Sequence, residues 1–237
     1  MKWCKRLLLA AMAAVILAGC GIGWQGWKQY ETAVARLPIE EAAEDIRTQA
    51  QFTPIESLPT AFCQAVVAVE DRRFYRHNGF DPIGTLRALV TDFKARKMVE
   101  GGSTLTQQLA KNIYFPQDNT PQRKFAEIFM ALDLERHFNK EEILELYCNG
   151  IYYGSGYYTV YDAAVGYFGK APLEMNLDEC TLLAGIPNAP SVYSPDVNPE
   201  LARQRQAQVI DAMVSCGYLR QAEAIALQDE IKTNGEE

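Results

Sequence analysis

From Ser57 onward the chain is punctuated by signals that start helices and by almost none that start strands. Thr104 with Gln107, and Asn139 with Glu142, form capping boxes, in which each end satisfies a backbone N–H that the first helical turn leaves unpaired. Prolines follow or open several apolar stretches at Pro59, Pro82, Pro121 and Pro199, and the first turn is where a helix tolerates proline best. These signals predict helices over Pro59 to about Phe74, 82–98, from Thr104 onward, Pro121 to about His137, Asn139 to about Tyr147, Asp178 to about Ile186, and Pro199 to about Met213. No run alternates apolar and polar residues with the period of a strand, and no repeat appears. The expectation is a mainly α chain with one compact domain over residues 57–237, long enough to bury a sizeable core.

The N-terminus is different in kind. Lys2, Lys5 and Arg6 precede a charge-free stretch from Leu7 to Trp27, and about 20 apolar residues suffice to span a bilayer as a helix. Trp24 and Trp27 fall where an interface would lie, and the leading positive charges would stay inside. The same stretch also reads as a basic and apolar leader ending in Leu17-Ala18-Gly19-Cys20, which resembles a bacterial lipoprotein processing site; Gly19, Gly21 and Gly23, poor helix formers, fit that reading. Residues 1–27 are therefore expected to be a membrane anchor or a lipoprotein signal. Residues 28–56, polar and acidic, are expected to form a juxtamembrane helix plus connector.

Charge is unevenly spread. Between Glu70 and Lys140 there are 12 Lys and Arg against 9 Asp and Glu, in a chain whose net charge is −7. A basic middle in an acidic protein points to a local anionic ligand and away from general nucleic-acid binding. Cysteines offer no framework: two of the six lie in the leader and the others in apolar or helical settings, with no spacing that suggests zinc. Two histidines are too few for a histidine-based metal site.

Three stretches carry groups able to do chemistry. In "AVVAVEDRRFYRHNGFDPIG", residues 65–84, Glu70 ends an apolar run where a helix C-terminus disfavours negative charge, while Arg72, Arg73 and Arg76 just beyond favour it. A carboxylate so placed suits a general base, and equally a charged helix end. On a continuous helix Glu70, Phe74 and His77 would share a face at i, i+4 and i+7. In "GGSTLTQQLAKNIY", residues 101–114, a Gly-Ser-Thr helix start offers N–H groups and hydroxyls to an anion, with Lys111 one turn beyond Gln107 and Gln108. It reads as a phosphate or pyrophosphate cradle or as a well-capped helix, and it lacks the Gly-Lys-Ser/Thr ending of a P-loop. In the third stretch Arg123 and Lys124 stand four and three positions before Glu127, a common surface pairing made less casual by Phe125, Ile128 and Phe129.

Together these stretches resemble the membrane-attached peptidoglycan glycosyltransferases, found alone or as the first domain of bifunctional penicillin-binding proteins. Glu70, Asp71, Phe74, His77 and Gly79 match the first family pattern; Gly101 to Asn112 match the second without a gap; Arg123, Lys124 and Glu127 match the third. Tyr147, Asn149, Ile151, Tyr152 and Gly154 resemble the fourth, and the segment from Ala202 through Arg205 to Met213 resembles the C-terminal part. The resemblance implies a lysozyme-like domain in two lobes around a long cleft, which joins lipid II units by β-1,4 linkages and releases undecaprenyl pyrophosphate. It implies Glu70 as the general base on the acceptor's 4-hydroxyl, with inversion at the donor carbon. Glu127 becomes the second carboxylate, near the leaving pyrophosphate or its metal, with Mg²⁺ or Mn²⁺ as the cofactor the family allows. Lys111, Lys124 and Arg205 become phosphate ligands, in preference to the arginines after Glu70. Ser103, Thr104 and Gln108 would shape the donor site, and Asp71, Phe74, His77 and Arg123 join the substrate-binding set. Partners would be lipid II, the growing glycan strand, the membrane and cell-wall transpeptidases, with the domain outside the cytoplasm. Where family members usually carry an Arg shortly before the third motif this chain has Asn119, a loss that Arg123 is expected to offset.

The chain contains no Ser-x-x-Lys or Lys-Thr-Gly, so it is expected to act alone and not to react with penicillin. The 82–98 helix, with Leu89, Val90 and Phe93 beside bases, is expected either to rest among lipid headgroups or to pack as an ordinary helix. Two rivals stay open: a lytic muramidase on the same fold, and an inactive scaffold that binds lipid II or the cell wall.

Overall fold

The structure, a computed structural model, describes residues 2–95, 101–115 and 120–234, with the side chains at 2, 4, 5, 7, 8, 10, 92, 95 and 234 left aside. It is a helical assembly with no named strand among the described residues. In chain order the helices are α1 (Lys2–Arg36), α2 (Ile39–Arg47), α3 (Thr60–Glu70), α4 (Pro82–Ala95), α5 (Leu105–Tyr114), α6 (Pro121–His137), α7 (Lys140–Gly150), α8 (Val160–Phe168), α9 (Leu177–Gly185), α10 (Pro190–Tyr193), α11 (Pro199–Cys216) and α12 (Gln221–Asn234). Helices α3, α9 and α11 pack on one another as one group; α5, α6 and α7 form a second, with α1 lying along α6 and α2 on α7. One continuous core joins the groups, with Phe62, Leu105, Leu109, Met130, Leu134, Tyr147, Tyr153 and Leu183 fully buried in it.

The capping signals act as read. Thr104 and Gln107 close a reciprocal box on α5, and Asn139 and Glu142 close another on α7. Several boundaries move, each for a local reason. Helix α3 stops at Glu70 and does not run to Phe74: Asp71 leaves helical geometry, Phe74–Arg76 form one 3₁₀ turn, and His77 is extended. Asp71 is drawn off because its carboxylate accepts from the Leu105 N–H at 3.0 Å, a tertiary bond that a continuing helix could not make. Glu70, Phe74 and His77 therefore share no helical face. Pro59 takes the N-cap position, one place before the first turn. Helix α7 continues three residues past Tyr147 to Gly150, and α11 runs to Cys216, where Gly217 turns it off at φ 76°. Helix α4 is described as far as Ala95; Arg96, Lys97 and Met98 of the expected helix lie outside the described residues.

Residues 28–56, expected as a juxtamembrane helix plus connector, are helical over 28–36 and 39–47 and pack on the domain. Helix α1 continues through Gly19, Gly21 and Gly23 as one element of 35 residues and docks on α6. Gly26 makes that docking close, since a Cβ there would lie 2.5 Å from the Phe125 Cβ. Trp27 meets Phe129 edge-on at 5.1 Å, and the Tyr30 hydroxyl donates to Asp133 at 2.6 Å. Burial, then the bond to Asp133, pushes that hydroxyl's pKa up to about 12. Ala33, Ile39, Ala42, Ala43 and Ile46 are buried in the main core. Leu9, Met12, Val15, Ile16 and Leu17 are exposed. Among the described residues no helix is long and apolar enough to cross a membrane.

Helix α4 starts on a carboxylate. Asp81 Oδ1 accepts from the Ile83 N–H at 3.1 Å, and Oδ2 meets Arg73 Nε at 2.9 Å. Burial opposes the charge, but the Gly84 N–H and the Arg73 guanidinium outweigh it and hold the carboxyl below its usual value. A carboxyl depressed in the fold adds stability that is complete above its unfolded value, about 4, and is lost as pH falls through the folded one. Asp81→Asn is expected to cost about 1 kcal/mol at pH 7 and to flatten the loss of stability below about pH 4, both read by urea unfolding across pH.

Candidate active site

Between the two helix groups lies a cleft of about 540 Å³. Its walls come from the end of α3, from α4, from the Gly101–Ser103 approach and α5, from α6, from Pro187 and Asn188, and from α11. Six basic side chains line it, Arg72, Arg87, Lys111, Arg123, Lys124 and Arg205, against two carboxylates, Glu70 and Glu127. An acidic protein thus gathers cations at one place, and such a cleft concentrates anions.

Glu70 is the last residue of α3, so its side chain leaves the helix end and enters the cleft. One donor reaches it from each wall. Gln108 Nε2 of α5 donates to Oε2 at 2.8 Å, and Arg205 Nη2 of α11 faces Oε1 at 3.3 Å. Arg205 is steadied in turn: its Nη1 donates to Gln208 Oε1 at 2.9 Å and its Nε to the Gly185 carbonyl at 3.4 Å. Gly185 leaves room for it, because a Cβ would sit 3.0 Å from Arg205 Cγ.

Glu127 occupies the opposite wall, 2 % exposed on α6. Arg123 Nε lies 3.0 Å from Oε1 and Lys124 Nζ 2.8 Å from Oε2, the helical neighbours at i−4 and i−3. Lys124 also donates to Ser103 Oγ at 2.6 Å, which ties α6 to the entry of α5. Lys111 projects from α5 with no partner for its ammonium among the described residues. No group of three His, Cys, Asp or Glu able to hold a metal occurs among the described residues, and both oxygens of Glu127 already face cations.

Of the residues the sequence pointed to, Glu70, Ser103, Gln108, Lys111, Arg123, Lys124, Glu127 and Arg205 line the cleft together. Asp71, Phe74, His77 and Thr104 sit behind it, buried and bonded to one another's segments. Asp71 Oδ2 accepts from His77 Nε2 at 2.9 Å as well as from Leu105. The Thr104 hydroxyl donates to the Gly79 carbonyl at 2.7 Å and accepts from the Gln107 N–H. Phe74 packs under Lys140, whose ammonium lies 4.4 Å from the ring centre. Gly79 is required there: its φ is +89°, and a Cβ would meet the Ala131 carbonyl oxygen at 2.6 Å.

Arg87, Asn188 and Gln208 also line the cleft and were not singled out from the sequence; Arg72, set below Lys111, Lys124 and Arg205 as a phosphate ligand, lines it too. Arg72 follows Glu70 by two residues, and Gln208 stands three after Arg205 on a helix, a spacing that could have marked it. Arg87 lies outside any motif and comes to the cleft only through the fold. Asn119 lies outside the described residues; Arg123, expected to offset it, stands on the cleft wall beside Glu127.

Two carboxylates and six cations in one cleft suit proton transfer beside an anionic ligand, and the similarity to known proteins says which family builds such a site. A family described as transglycosylase matches residues 38–214. The chain is 40% identical over 219 residues to a Cupriavidus necator protein named "Putative transglycosylase", covering 92% of this chain and 91% of that one. It is 45% identical over 168 residues to penicillin-binding protein 1A of Aquifex aeolicus, covering 71% of this chain and 23% of that protein. With penicillin-binding protein 1A of Vibrio cholerae it shares 37% identity over 246 aligned positions, 97% of this chain and 30% of that one. The chain belongs to the transglycosylase family, the peptidoglycan glycosyltransferases whose motifs it carries. It spans between about a quarter and a third of the length of these penicillin-binding proteins.

Frame and cleft should separate experimentally. Asp71→Ala removes an ionic acceptor from two donors and is expected to cost about 2–3 kcal/mol of stability. Lys111→Ala, at an exposed position, should stay within about 0.5 kcal/mol of the unaltered protein. Thermal unfolding of both variants checks this.

Proposed function

We propose that this chain polymerises lipid II into β-1,4-linked glycan with release of undecaprenyl pyrophosphate. The observation that carries the reading is the sharing of one cleft by Glu70 and six basic side chains. Glu70, held by donors from both walls, takes the proton of the acceptor sugar's 4-hydroxyl. The freed oxygen attacks the donor's anomeric carbon from the face opposite the diphosphate, so the configuration inverts, as in inverting glycosidases with a sugar hydroxyl replacing water. Charge then grows on the leaving diphosphate. Lys111, whose ammonium has no partner among the described residues, meets it together with Lys124, Arg123 and Arg205. Glu127 holds Arg123 and Lys124 in place for that task.

The described residues do not fit a metal held by the protein, since Glu127 is the one carboxylate among them on that wall and both its oxygens are ion-paired. Mg²⁺ or Mn²⁺ would arrive on the donor's own phosphate oxygens, and no step here is assigned to it. A lytic muramidase, the rival enzyme, cleaves a neutral glycosidic link and has no use for six bases around its carboxylates.

The membrane belongs to the same proposal. Residues 1–27 hold the chain to the bacterial cell membrane as an uncleaved anchor, with the lysozyme-like domain outside the cytoplasm. A mass that reveals a lipidated Cys20 at a new N-terminus would establish the lipoprotein alternative. Ile83, Leu86, Leu89, Val90 and Phe93 of α4 are exposed while Arg87 of the same helix lines the cleft. This supports α4 as the element that rests among headgroups and passes lipid substrate inward.

With labelled lipid II, the unaltered protein is expected to give polymer and Glu70→Gln to lose at least about 100-fold in rate. A variant as active as the unaltered protein, or no polymer from either, would sink the mechanism. Shortening of preformed glycan in the same assay would establish the muramidase instead. Arg123→Ala should slow polymerisation; an unchanged rate would show that Arg123 does not offset Asn119.

A further inference from the structure

Glu70 is held by an amide that has two unlike ends. Gln108 turns its Nε2 toward the Glu70 carboxylate, 2.8 Å away, because its carbonyl oxygen in that place would repel the charge. The carbonyl oxygen is therefore directed inward, where the hydroxyl of Tyr147 donates to it at 3.2 Å. Tyr147 stands on α7, in the fully buried layer behind the cleft, and contributes nothing to the cleft wall. Three helices thus form one line: α7 through Tyr147, α5 through Gln108, and the end of α3 through Glu70.

We propose that Tyr147 is a positioning residue for glycosyl transfer: its hydroxyl fixes the Gln108 amide, and the amide aims the Glu70 carboxylate into the cleft. The inference rests on the reading of Glu70 as the base. Without the hydroxyl, the Gln108 oxygen loses the donor it has among the described residues, and a half-buried glutamine beside an open cleft escapes by turning outward. Of its two described donors Glu70 then keeps Arg205, whose contact is the longer. A chain of hydrogen bonds also polarises its members, so the donor to Glu70 is stronger for being bonded behind. The charged and titratable groups that act on the Tyr147 hydroxyl are Glu70 and Asp71 from the α3 end, Arg205 from α11 and its own neighbour Cys148. Burial, followed by the charge of Glu70, keeps that hydroxyl protonated far above its ordinary range, so it remains a donor at any working pH.

The test compares Tyr147→Phe, Gln108→Leu and the double variant in the full-length protein. With labelled lipid II, Tyr147→Phe is expected to lower kcat about tenfold and leave KM for lipid II within about twofold. In the Gln108→Leu background the same change should cost nothing further, because the route through the amide is already gone. An equal loss in both backgrounds would show that Tyr147 acts only through general packing, and the proposal would be overturned. Side-chain amide signals of ¹⁵N-glutamine, assigned by their absence in Gln108→Leu, give a second readout that needs no activity. A slowly exchanging, carboxylate-shifted Gln108 proton is expected in the unaltered protein and its loss in Tyr147→Phe. If Tyr147→Phe does not accumulate folded, a fast-exchanging Gln108 amide in the unaltered protein suffices to overturn the arrangement. Full activity in Glu70→Gln overturns the base reading and the catalytic role of Tyr147 with it, whereas the amide signals still report whether the arrangement exists.

Discussion

The carboxylate of Asp71 decides where the rest of the site can be. By accepting from the Leu105 N–H it satisfies one of the donors that the first turn of α5 leaves unpaired. By accepting from His77 as well, it fixes the loop that follows. The two bonds end α3 at Glu70 and begin α5 beside it, so that the last side chain of one helix faces the second turn of the next. Gly79, accepting from the Thr104 hydroxyl, makes a further join between the same two segments. The residues around Asp71 are buried because they are the hinge pin of the site rather than its surface.

This arrangement explains which parts were legible in the sequence. Helix starts were, because a capping box is written in four consecutive residues and needs no partner elsewhere: α5 and α7 begin where Thr104 and Asn139 say they should. Spacing within one helix was legible too, as Arg123, Lys124 and Glu127 show. The end of α3 was not. Local pattern favoured a helix to Phe74, and the winning contact came from Leu105, 34 residues away. The same limit hid Arg87, which reaches the cleft through the path of α4. Helices α8 and α12 went unread, although Thr159 and Gly169 mark the two ends of α8, and α2 carries the helical spacing Ile39, Ala42, Ala43 and Ile46. The docking of residues 28–56 was hidden because their polar composition masks the few apolar positions, such as Ile39 and Ile46, that enter the core.

Electrostatics divides the cleft by wall. On one side a carboxylate stands between an amide and a guanidinium; on the other, a carboxylate is sunk beneath two bases. The first keeps an acceptor surface turned to the cleft. The second presents, toward the same space, cations whose positions a buried counter-charge has set in advance. Two glutamates in one cleft therefore stand in different electrostatic settings because their neighbours differ, and their separation along the chain says nothing of it.

Gly26 has a consequence for distance. Its contact with Phe125 locks the register of α1 against α6, the helix that carries Glu127, Arg123 and Lys124. Leu17, the last of the exposed apolar residues in the first half of α1, lies nine positions earlier in the same helix. At 1.5 Å per residue that is an axial offset of about 13 Å. The helix is a ruler with its zero at the apolar stretch, and the cation wall is mounted at a set graduation on it. Inserting one residue between the two points would raise the wall by about 1.5 Å and swing it by about 100° around the axis. The height and the facing of the cleft are thus coupled to a single count of residues.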